Sequence, residues 1–384
     1  SRKMVNEETV ISSISHYQPN VWSQLTKISQ SGLIGNGYIF SGPTGCGKEG
    51  LALLFSQYLN CENPKEDVCG SCPSCFRFQG LQNEKLKLVV PLPAPKSKSS
   101  NGEENSSISK GDLELLTESI QHKSTDPFYK ISIPRASRIL IQSIRELRKS
   151  LYLKGSQFGR KVVIIFDAHL LSVGQGEAAN ALLKILEEPP ENTTLILVTD
   201  HQSLLLPTIL SRCQLIQFPP LSDTYVNHWL ESHGETENTA YISGLSKGNI
   251  HRARKLLNKS LTDLTQEIEL FITQITSTDP NVWRKFTQDY GRIAFQKPDE
   301  LKFQFQMASL WIHGAYHLRN KISLPIHKTE LIQGMELFNK QFPNSDLQGI
   351  VLLLDSINES MAMNFHIPLI LINLLLDIQK KLNT

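Results

Sequence analysis

Short apolar runs alternate with segments of helical periodicity in the N-terminal part of the chain. Four runs have the length of strands: Tyr38–Ser41, Leu86–Pro91, Lys161–Asp167 and Thr194–Thr199. Helical spacing predicts four helices around them: Val21–Ile28, Leu51–Leu59, Ile139–Leu151 and Gly176–Glu188. Strands that are apolar throughout and alternate with helices are typical of a parallel sheet covered on both faces. The pattern therefore predicts an α/β domain over residues 1–219.

The strand pattern stops after Pro219 and Pro220. Residues 221–258 contain two or three short helical stretches, punctuated by Gly244 and Gly248. Helical periodicity then continues in three long apolar stripes: Leu261–Ile275, Leu301–Arg319 and Ile350–Leu382. We therefore predict a small helical domain over residues 220–258 and a helical C-terminal domain over residues 259–384.

One segment of the α/β domain has a different character. From about Pro93 to Asp126 the chain is rich in Pro, Ser, Asn, Lys and Glu and has few apolar residues. Such a composition buries too little apolar surface to fold alone. We therefore predict a flexible insertion over residues ~93–128, with one candidate helix inside it at Leu113–Ile120.

Composition narrows the classes of function. Lys and Arg number 39 against 37 Asp and Glu, a formal net charge of +2, so the chain as a whole does not have the charge for a bulk electrostatic grip on DNA. A local basic face is still compatible with this balance. No apolar run has the length of a bilayer span, and the N-terminal residues lack the apolar core of a secretion signal. We therefore expect a cytoplasmic protein without membrane contact, in a compartment that disfavours disulfides.

A glycine-rich segment follows the first predicted strand. Gly42-Pro-Thr-Gly45-Cys-Gly47-Lys48 fits the pattern Gly-x-x-x-x-Gly-Lys at the start of a helix. In such a P-loop, backbone N–H groups surround phosphate oxygens and the lysine reaches the outer phosphates. The next residue is normally a Ser or Thr that binds Mg²⁺, but here it is Glu49. Both a working nucleotide site and an inherited loop that binds nucleotide weakly or not at all fit this sequence, and the second is favoured.

Asp167 stands at the end of the third apolar run. This is where an NTPase places an acidic residue, at the carboxyl edge of the sheet, and the carboxylate could direct a Mg²⁺-bound water. Hydrolysis also needs a group that orients the attacking water. The following residue, Ala168, cannot do this.

Four of the six cysteines fall within fifteen residues, in the spacing Cys61-x₇-Cys69-x₂-Cys72-x₂-Cys75. Zn²⁺ takes four thiolates tetrahedrally, and short Cys-x₂-Cys loops let backbone amides support the sulfurs. We therefore predict a structural zinc site, in preference to four unrelated cysteines. Cys46 and Cys213 lie elsewhere in the chain and are expected to be small buried residues.

The segment Leu206-Pro-Thr-Ile-Leu-Ser211-Arg212-Cys213 follows the last predicted strand. Pro207 suits the first turn of a short helix, which would project Arg212 from its end. The alternative to a functional Arg212 is an arginine whose charge only complements the C-terminus of that helix. The spacing of the residues alone favours this structural role.

Several motifs, taken together, resemble those of the bacterial clamp-loader family of AAA+ proteins, and within it those of delta-prime subunits of DNA polymerase III. The similarity covers residues ~20–220 and comprises the P-loop, the four cysteines, Asp167–Leu171, Ala179–Pro190 and Leu210–Cys213. The resemblance implies an α/β P-loop (AAA+) domain with a parallel sheet, a helical lid over residues 220–258 and an all-α collar over residues 259–384.

The resemblance also assigns roles to residues. Arg212 resembles the arginine finger that enters the ATP site of a neighbouring motor subunit, with Ser211 and Cys213 positioning it. Thr199 falls at the sensor position of the family. His251 stands where motor subunits carry a second sensor arginine. Ala168 and Glu49 are further departures from an active site, which leaves Gly42, Gly45, Gly47, Lys48 and Asp167 as remnants of one.

Members of this family form a five-subunit ring that opens the sliding clamp at primer–template DNA. The resemblance therefore implies gamma/tau-like motor subunits and a delta-like subunit as partners. We expect a stator that does not hydrolyse ATP, holds structural zinc and supplies Arg212 in trans, with binding of ATP and Mg²⁺ in doubt. Two alternatives stay open: a motor subunit that uses Lys48, Asp167 and Thr199, and a zinc-module nucleic-acid binder, which the near-neutral charge disfavours.

Overall fold

The structure is a computed structural model that describes residues 13–94, 108–152, 159–322, 329–362 and 366–383. The chain divides into two compact units, Ser1–Leu221 and Ser222–Thr384. The proposed subdivision of the second unit at residue 258 stays a prediction.

A five-stranded parallel sheet forms the centre of the first unit. Its strands are β1 (Gly37–Ser41), β2 (Leu86–Val89), β3 (Lys161–Ile165), β4 (Thr193–Thr199) and β5 (Gln214–Gln217), in the order β2-β3-β4-β1-β5. Strands β1 and β4 are central and buried along their whole length, with Ile39 paired to Leu197. Because all pairs are parallel, the carboxyl ends of β1, β3 and β4 meet at one edge of the sheet.

Helices cover the sheet. They are α1 (Ile14–Tyr17), α2 (Pro19–Gln30), α3 (Lys48–Tyr58), α4 (Pro73–Gln79), α5 (Lys110–Thr125), α6 (Ile141–Tyr152), α7 (Glu177–Glu187) and α8 (Pro207–Leu210), with 3₁₀ turns at Ala168–Ser172 and Gln202–Leu204. Helices α6 and α7 place Leu147 and Leu182 in the same apolar cluster as Val163 of the sheet. Helix α7 ends before Pro189, because proline cannot continue a helix and restricts the residue before it. The predicted α/β class with a parallel sheet, followed by a helical remainder, is confirmed.

Strand β5 was not anticipated. Gln214–Gln217 is an edge strand in which only Ile216 is buried, so its sequence lacks the apolar run that marked the inner strands. An edge strand pairs with a neighbour on one side only, so polar side chains such as Gln214 and Gln217 can stay exposed to solvent. The conformation of β5 is therefore set by its pairing with β1 and not by the hydrophobic pattern of its own residues.

The predicted flexible insertion is wrong for residues 108–128. The candidate helix at Leu113–Ile120 is present as part of the longer helix α5, and Ser109 caps it by accepting a hydrogen bond from the Asp112 amide. The Lys123 side chain on this helix is buried, with 1% of its surface exposed. The physical reason is polar packing: buried ionic and backbone hydrogen bonds order a segment that has few apolar residues. Residues 95–107 lie outside the described part of the chain.

The described residues of the second unit form helices and connecting turns. The helices are α9 (Asp223–Ser232), α10 (Thr239–Ser246), α11 (Ile250–Leu257), α12 (Leu261–Thr276), α13 (Pro280–Gln296), α14 (Pro298–Arg319), α15 (Thr329–Gln341), α16 (Leu347–Ala362) and α17 (Ile367–Leu382). The long stripe Ile350–Leu382 is thus two helices, and Pro368 lies in the first turn of the second. Within the unit, Arg252 Nε of α11 donates to Gln306 Oε1 of α14 over 3.2 Å. None of the helices that the structure describes is long and apolar enough to cross a bilayer.

The first glycine of the P-loop is needed for packing. A Cβ at Gly42 would lie 2.4 Å from the carbonyl oxygen of Phe218, because the chain after β5 stays hydrogen-bonded to the end of β1. We expect Gly42→Ala to lower the free energy of unfolding by about 1–3 kcal/mol through overpacking, measured by urea unfolding. Gly111→Ala is the control, since nothing lies near its Cβ position. Equal stabilities of the two variants would contradict this account.

Candidate functional site

The P-loop connects β1 to α3. Gly45 and Gly47 adopt positive φ angles of 71° and 93°, which glycine reaches without strain, and helix α3 begins at Lys48. Glu49 lies in the first helical turn, where an acidic side chain suits the positive end of the helix dipole. The loop therefore has the conformation that its glycine spacing predicts, directly after a buried parallel strand.

The Lys48 ammonium is bound by the chain itself. Its Nζ atom lies 2.6 Å from Asp200 Oδ1, 2.8 Å from the Gly42 carbonyl oxygen and 2.6 Å from the Pro43 carbonyl oxygen. An ammonium has three N–H donors, so these three acceptors can satisfy it completely. Only 4% of the Lys48 side chain is exposed. The lysine that would reach outer phosphates in a working P-loop is thus held inside the protein.

Asp200 was missed by sequence reasoning, although it directly follows Thr199 at the end of β4. Its Oδ2 atom accepts a hydrogen bond from Thr44 Oγ1 over 2.7 Å, so the carboxylate links β4 to both the loop and its lysine. Burial alone would raise the pKa of Asp200, but Lys48 and Lys130 outweigh it and hold the pKa well below its ordinary value. The carboxylate therefore stays ionised.

Glu49 and Asp167 are brought together by a lysine. The Nζ atom of Lys130 lies 2.5 Å from Asp167 Oδ1 and 3.2 Å from Glu49 Oε1. The other carboxylate oxygen of Glu49 accepts from Lys123 Nζ over 2.5 Å. Both lysines lie in or just after the segment predicted to be a flexible insertion, which is why sequence reasoning did not assign them to the pocket. Ala168, which follows Asp167, is fully buried.

Thr199 is also engaged within the chain. Its hydroxyl lies 3.1 Å from His169 Nδ1 and accepts the His201 backbone amide over 3.0 Å. Burial lowers the pKa of His169 to about 4, so the imidazole is neutral near pH 7. His251 lies in α11 of the second unit, after a cap in which Asn249 accepts the Arg252 amide.

The four clustered cysteines converge on one point. Their sulfur atoms all lie within 4.8 Å of one another, and the sulfurs of Cys69 and Cys75 are 3.9 Å apart. A tetrahedral zinc ion with Zn–S bonds of about 2.3 Å separates its sulfurs by about 3.8 Å. The four residues therefore fit a tetrahedral metal ion with no open position.

Backbone amides support this cysteine cluster. The Cys75 amide donates to Cys72 Sγ over 3.4 Å, because Cys72 caps helix α4, and the Cys69 amide donates to Cys61 Sγ over 3.3 Å. Hydrogen bonding from the Ser71 amide leads the causes that lower the pKa of Cys69 to about 6. At Cys69 this favours the thiolate, the form that binds metal, whereas burial raises the pKa of Cys61 and of Cys75.

Arg212 lies on the surface just after α8, which has Pro207 in its first turn as predicted. Its Nη1 atom donates to the Thr208 carbonyl oxygen over 3.0 Å and to Ser211 Oγ over 3.3 Å, while Nη2 lies 2.8 Å from a Glu187 carboxylate oxygen. The arginine thus complements its helix and still keeps 36% of its side chain exposed. Cys213 is half-buried, and burial raises the pKa of its thiol to about 11.

A glycine-rich loop between a buried central strand and a helix, with acidic side chains at the carboxyl ends of the other strands, defines the first unit as a P-loop α/β domain. Residues 17–222 match the family described as DNA polymerase III, delta subunit. The chain belongs to this family.

Individual relatives agree with this assignment. The chain is 31% identical to the tau subunit of DNA polymerase III from Bacillus subtilis over 250 residues, which are 62% of this chain and 36% of that protein. It is 24% identical to the delta-prime subunit from Haemophilus influenzae over 330 residues, 84% of this chain and 83% of that protein. It is 26% identical to the delta-prime subunit from Bacillus subtilis over 243 residues, which are 63% of this chain and 60% of that protein. The chain thus spans about a third of the length of the Bacillus tau subunit and about three-fifths of the length of the Bacillus delta-prime subunit.

Among solved structures, a gamma subunit-related protein of Thermotoga maritima is 18% identical, with a TM-score of 0.40, and the match covers 94% of this chain and 99% of that one. The predicted resemblance to clamp-loader subunits of DNA polymerase III is confirmed by the family match and by the relatives.

The Lys48–Asp200 pair gives a stability prediction. Asp200→Asn leaves the Lys48 ammonium buried without a carboxylate, and breaking a buried pair costs about 3–5 kcal/mol. We expect the free energy of unfolding, measured by urea unfolding, to fall by about 3 kcal/mol. This is the lower end of that range, because 20% of the Asp200 side chain is exposed. Glu187→Gln is the control, since its exposed pair with Arg212 is worth only about 0–1 kcal/mol. A loss no larger than that of the control would contradict the prediction.

A pH series provides a second readout of the same substitution. The folded-state pKa of Asp200 lies below the ordinary aspartate value of about 3.9, so the unfolded chain takes up the proton first as the pH falls. The stabilisation is therefore complete above about pH 4 and is lost as the pH falls below it. The native chain should lose stability below that pH more steeply than Asp200→Asn.

Proposed function

We propose that the chain is a delta-prime-type stator of the sliding-clamp loader, which does not hydrolyse ATP and lends Arg212 to the ATP site of a neighbouring motor subunit. One observation carries the proposal: the chain's own P-loop lysine is fully bound by Asp200 and two loop carbonyls, whereas Arg212 is exposed.

The chemistry of phosphoryl transfer supports a silent pocket. P-loop enzymes need a lysine on the outer phosphates, a hydroxyl that holds Mg²⁺ and a residue that orients the attacking water. In this chain Lys48 is engaged by Asp200, Glu49 replaces the hydroxyl, and Ala168 stands where the motor subunits of the family have a second acid. All three requirements are thus unmet in the same pocket.

The environment of Arg212 suits a residue that acts in trans. A guanidinium is always charged and presents a planar fork that matches phosphate oxygens. The pair with Glu187 has both side chains more than a third exposed, and such surface pairs are worth only about 0–1 kcal/mol. Arg212 can therefore exchange Glu187 for a phosphate at small cost, while Ser211 keeps its side chain directed along the helix end.

The remaining partners follow from family membership. We propose assembly with gamma/tau-like motor subunits and a delta-like subunit, and contact with the sliding clamp and primer–template DNA through that complex. Residues 259–384 would form the collar, whose helices carry exposed apolar side chains such as Leu352 on α16 and Leu369 on α17. Such side chains can be buried against neighbouring collar helices.

We further propose that the metal of the cysteine cluster is structural zinc. Cys61, Cys69, Cys72 and Cys75 would hold it as thiolates, and bound zinc would join the start of α4 to the segment after α3. With four sulfur ligands the ion has no position for water, which is typical of structural sites.

Arg212→Ala should reduce ATP hydrolysis by the assembled loader. An arginine finger contributes roughly 10³–10⁵-fold to the rate of phosphoryl transfer, so the motor site that receives Arg212 should become almost inactive. Steady-state ATPase activity of the reconstituted complex on primed DNA with clamp measures the effect. Arg145→Ala, at an exposed arginine on α6, is the matched control and should leave the rate unchanged.

Two outcomes would count against the stator. An unchanged ATPase rate with Arg212→Ala in an assembled complex would remove the trans role. ATP hydrolysis by the isolated chain, abolished by Lys48→Ala, would instead support the alternative of a motor subunit.

Zinc content provides an independent prediction. The native chain should bind one zinc ion, and Cys72→Ser and Cys75→Ser should each lose most of it, because serine does not replace a thiolate ligand. Atomic emission of the purified protein measures the content. Cys46→Ser is the matched control, since Cys46 is buried away from the cluster and should leave the zinc content unchanged. Equal zinc loss in the control would sink the assignment.

A further inference from the structure

Six charged side chains meet where the carboxyl ends of β1, β3 and β4 come together. Three are ammonium groups and three are carboxylates: Lys48, Lys123, Lys130, Glu49, Asp167 and Asp200. Their formal charges cancel. Burial lowers the pKa of Lys123, and Glu49 opposes this by favouring the charged form. The pocket thus has no formal excess of negative charge without a bound ion, whereas a working P-loop site relies on Mg²⁺ to neutralise phosphate oxygens.

Two of these carboxylates occupy the positions from which P-loop enzymes hold Mg²⁺. One ligand normally comes from the residue after the P-loop lysine, and the other from the acid at the end of another strand of the same sheet. Here these residues are Glu49 and Asp167, and between them lies Lys130 Nζ, 3.2 Å from one and 2.5 Å from the other. A nitrogen cation thus stands between the two carboxylates where a metal cation would be expected.

The position of Lys130 is built by the segment that carries it. Lys123 Nζ donates to the carbonyl oxygens of Pro127 and Tyr129, which fixes the turn just before Lys130. Gly50 permits the approach, because a Cβ there would lie 2.7 Å from the Pro127 side chain. Phe128 packs edge-on against Tyr17, with ring centroids 5.2 Å apart. These contacts fix the backbone just before Lys130 and so direct its side chain into the pocket.

We propose that the Lys130 ammonium replaces a divalent cation between Glu49 and Asp167, so that the pocket excludes Mg²⁺ while Lys130 is in place. The inference rests on the proposed function, since it explains how a pocket that does not hydrolyse ATP is kept neutral and closed. It also gives a role to α5 and the turn after it: they deliver Lys123 and Lys130 to the end of the sheet.

Charge and geometry explain the exclusion. Mg²⁺ needs near-octahedral oxygen ligands at about 2.0–2.1 Å, which the two carboxylates cannot offer while ammonium groups occupy them. Adding a divalent ion without removing a lysine would also place like charges against each other in a partly buried site. Burial would lower the pKa of Lys130, but Asp167 and Glu49 outweigh it and raise that pKa well above its ordinary value. Lys130 therefore stays charged.

Removing the Lys130 charge should create a divalent-cation site. Zinc-loaded full-length chain is titrated with Mn²⁺, and the free ion is followed by electron paramagnetic resonance. The native chain should bind no Mn²⁺ at this pocket, whereas Lys130→Met and Lys130→Gln should each gain one Mn²⁺ per chain, which Mg²⁺ displaces. Lys184→Met, at an exposed lysine on α7, is the matched control and should behave like the native chain.

Adding Asp167→Asn to Lys130→Met should abolish the gained Mn²⁺ and so locate it. Mn²⁺ bound by the native chain and lost with Asp167→Asn would overturn the proposal, as would folded Lys130 variants that gain no Mn²⁺. Circular dichroism reports whether the variants fold. If neither Lys130→Met nor Lys130→Gln folds, the native titration alone decides whether the pocket excludes Mn²⁺. Because Mn²⁺ binding uses the chain alone and the Arg212 experiment uses the assembled loader, the two ideas can fail separately.

Discussion

The ion pair between Lys48 and Asp200 is the interaction on which the state of the whole pocket depends. It joins the P-loop to the end of β4, and Thr44 adds a second link between the same elements. A buried ammonium that loses its carboxylate is costly, so the pair favours one closed arrangement of the loop. The neighbouring lysines from α5 and its following turn extend this arrangement to Glu49 and Asp167.

Sequence reasoning recovered the elements whose physics is local. The inner strands were visible because buried parallel strands are apolar throughout, and α7 could be ended before Pro189 because proline cannot continue a helix. The convergence of four sulfurs was likewise implied by Cys-x₂-Cys spacing. In each case a few adjacent residues carry the whole signal, so no distant contact was needed to read it.

The features that were missed depend on distant contacts. Strand β5 owes its conformation to pairing with β1, since its exposed glutamines carry no strand pattern. The segment around helix α5 was predicted to be flexible, with one candidate helix, and its order depends on Lys123 reaching Glu49, 74 residues earlier in the chain. Asp200 is an ordinary acid in the sequence and becomes a P-loop ligand only because β1 and β4 are neighbours in the sheet. Periodicity and motif spacing contain none of this information.

The two cationic sites of the first unit differ in burial, and the proposed stator role rests on this difference. Lys48 is buried, with 4% of its side chain exposed, whereas Arg212 and its partner Glu187 each have more than a third of the side chain exposed. An ion pair in water is easily exchanged, but one with desolvated partners is not. The same sheet therefore carries a locked cation at the end of β1 and an exchangeable one just before β5. Arg212 is tied to the strand that leads into the P-loop by two contacts. Strand β5, which follows Arg212 in the chain, pairs with β1, and Ile209 of α8 packs in the apolar cluster that contains Ile39 of β1.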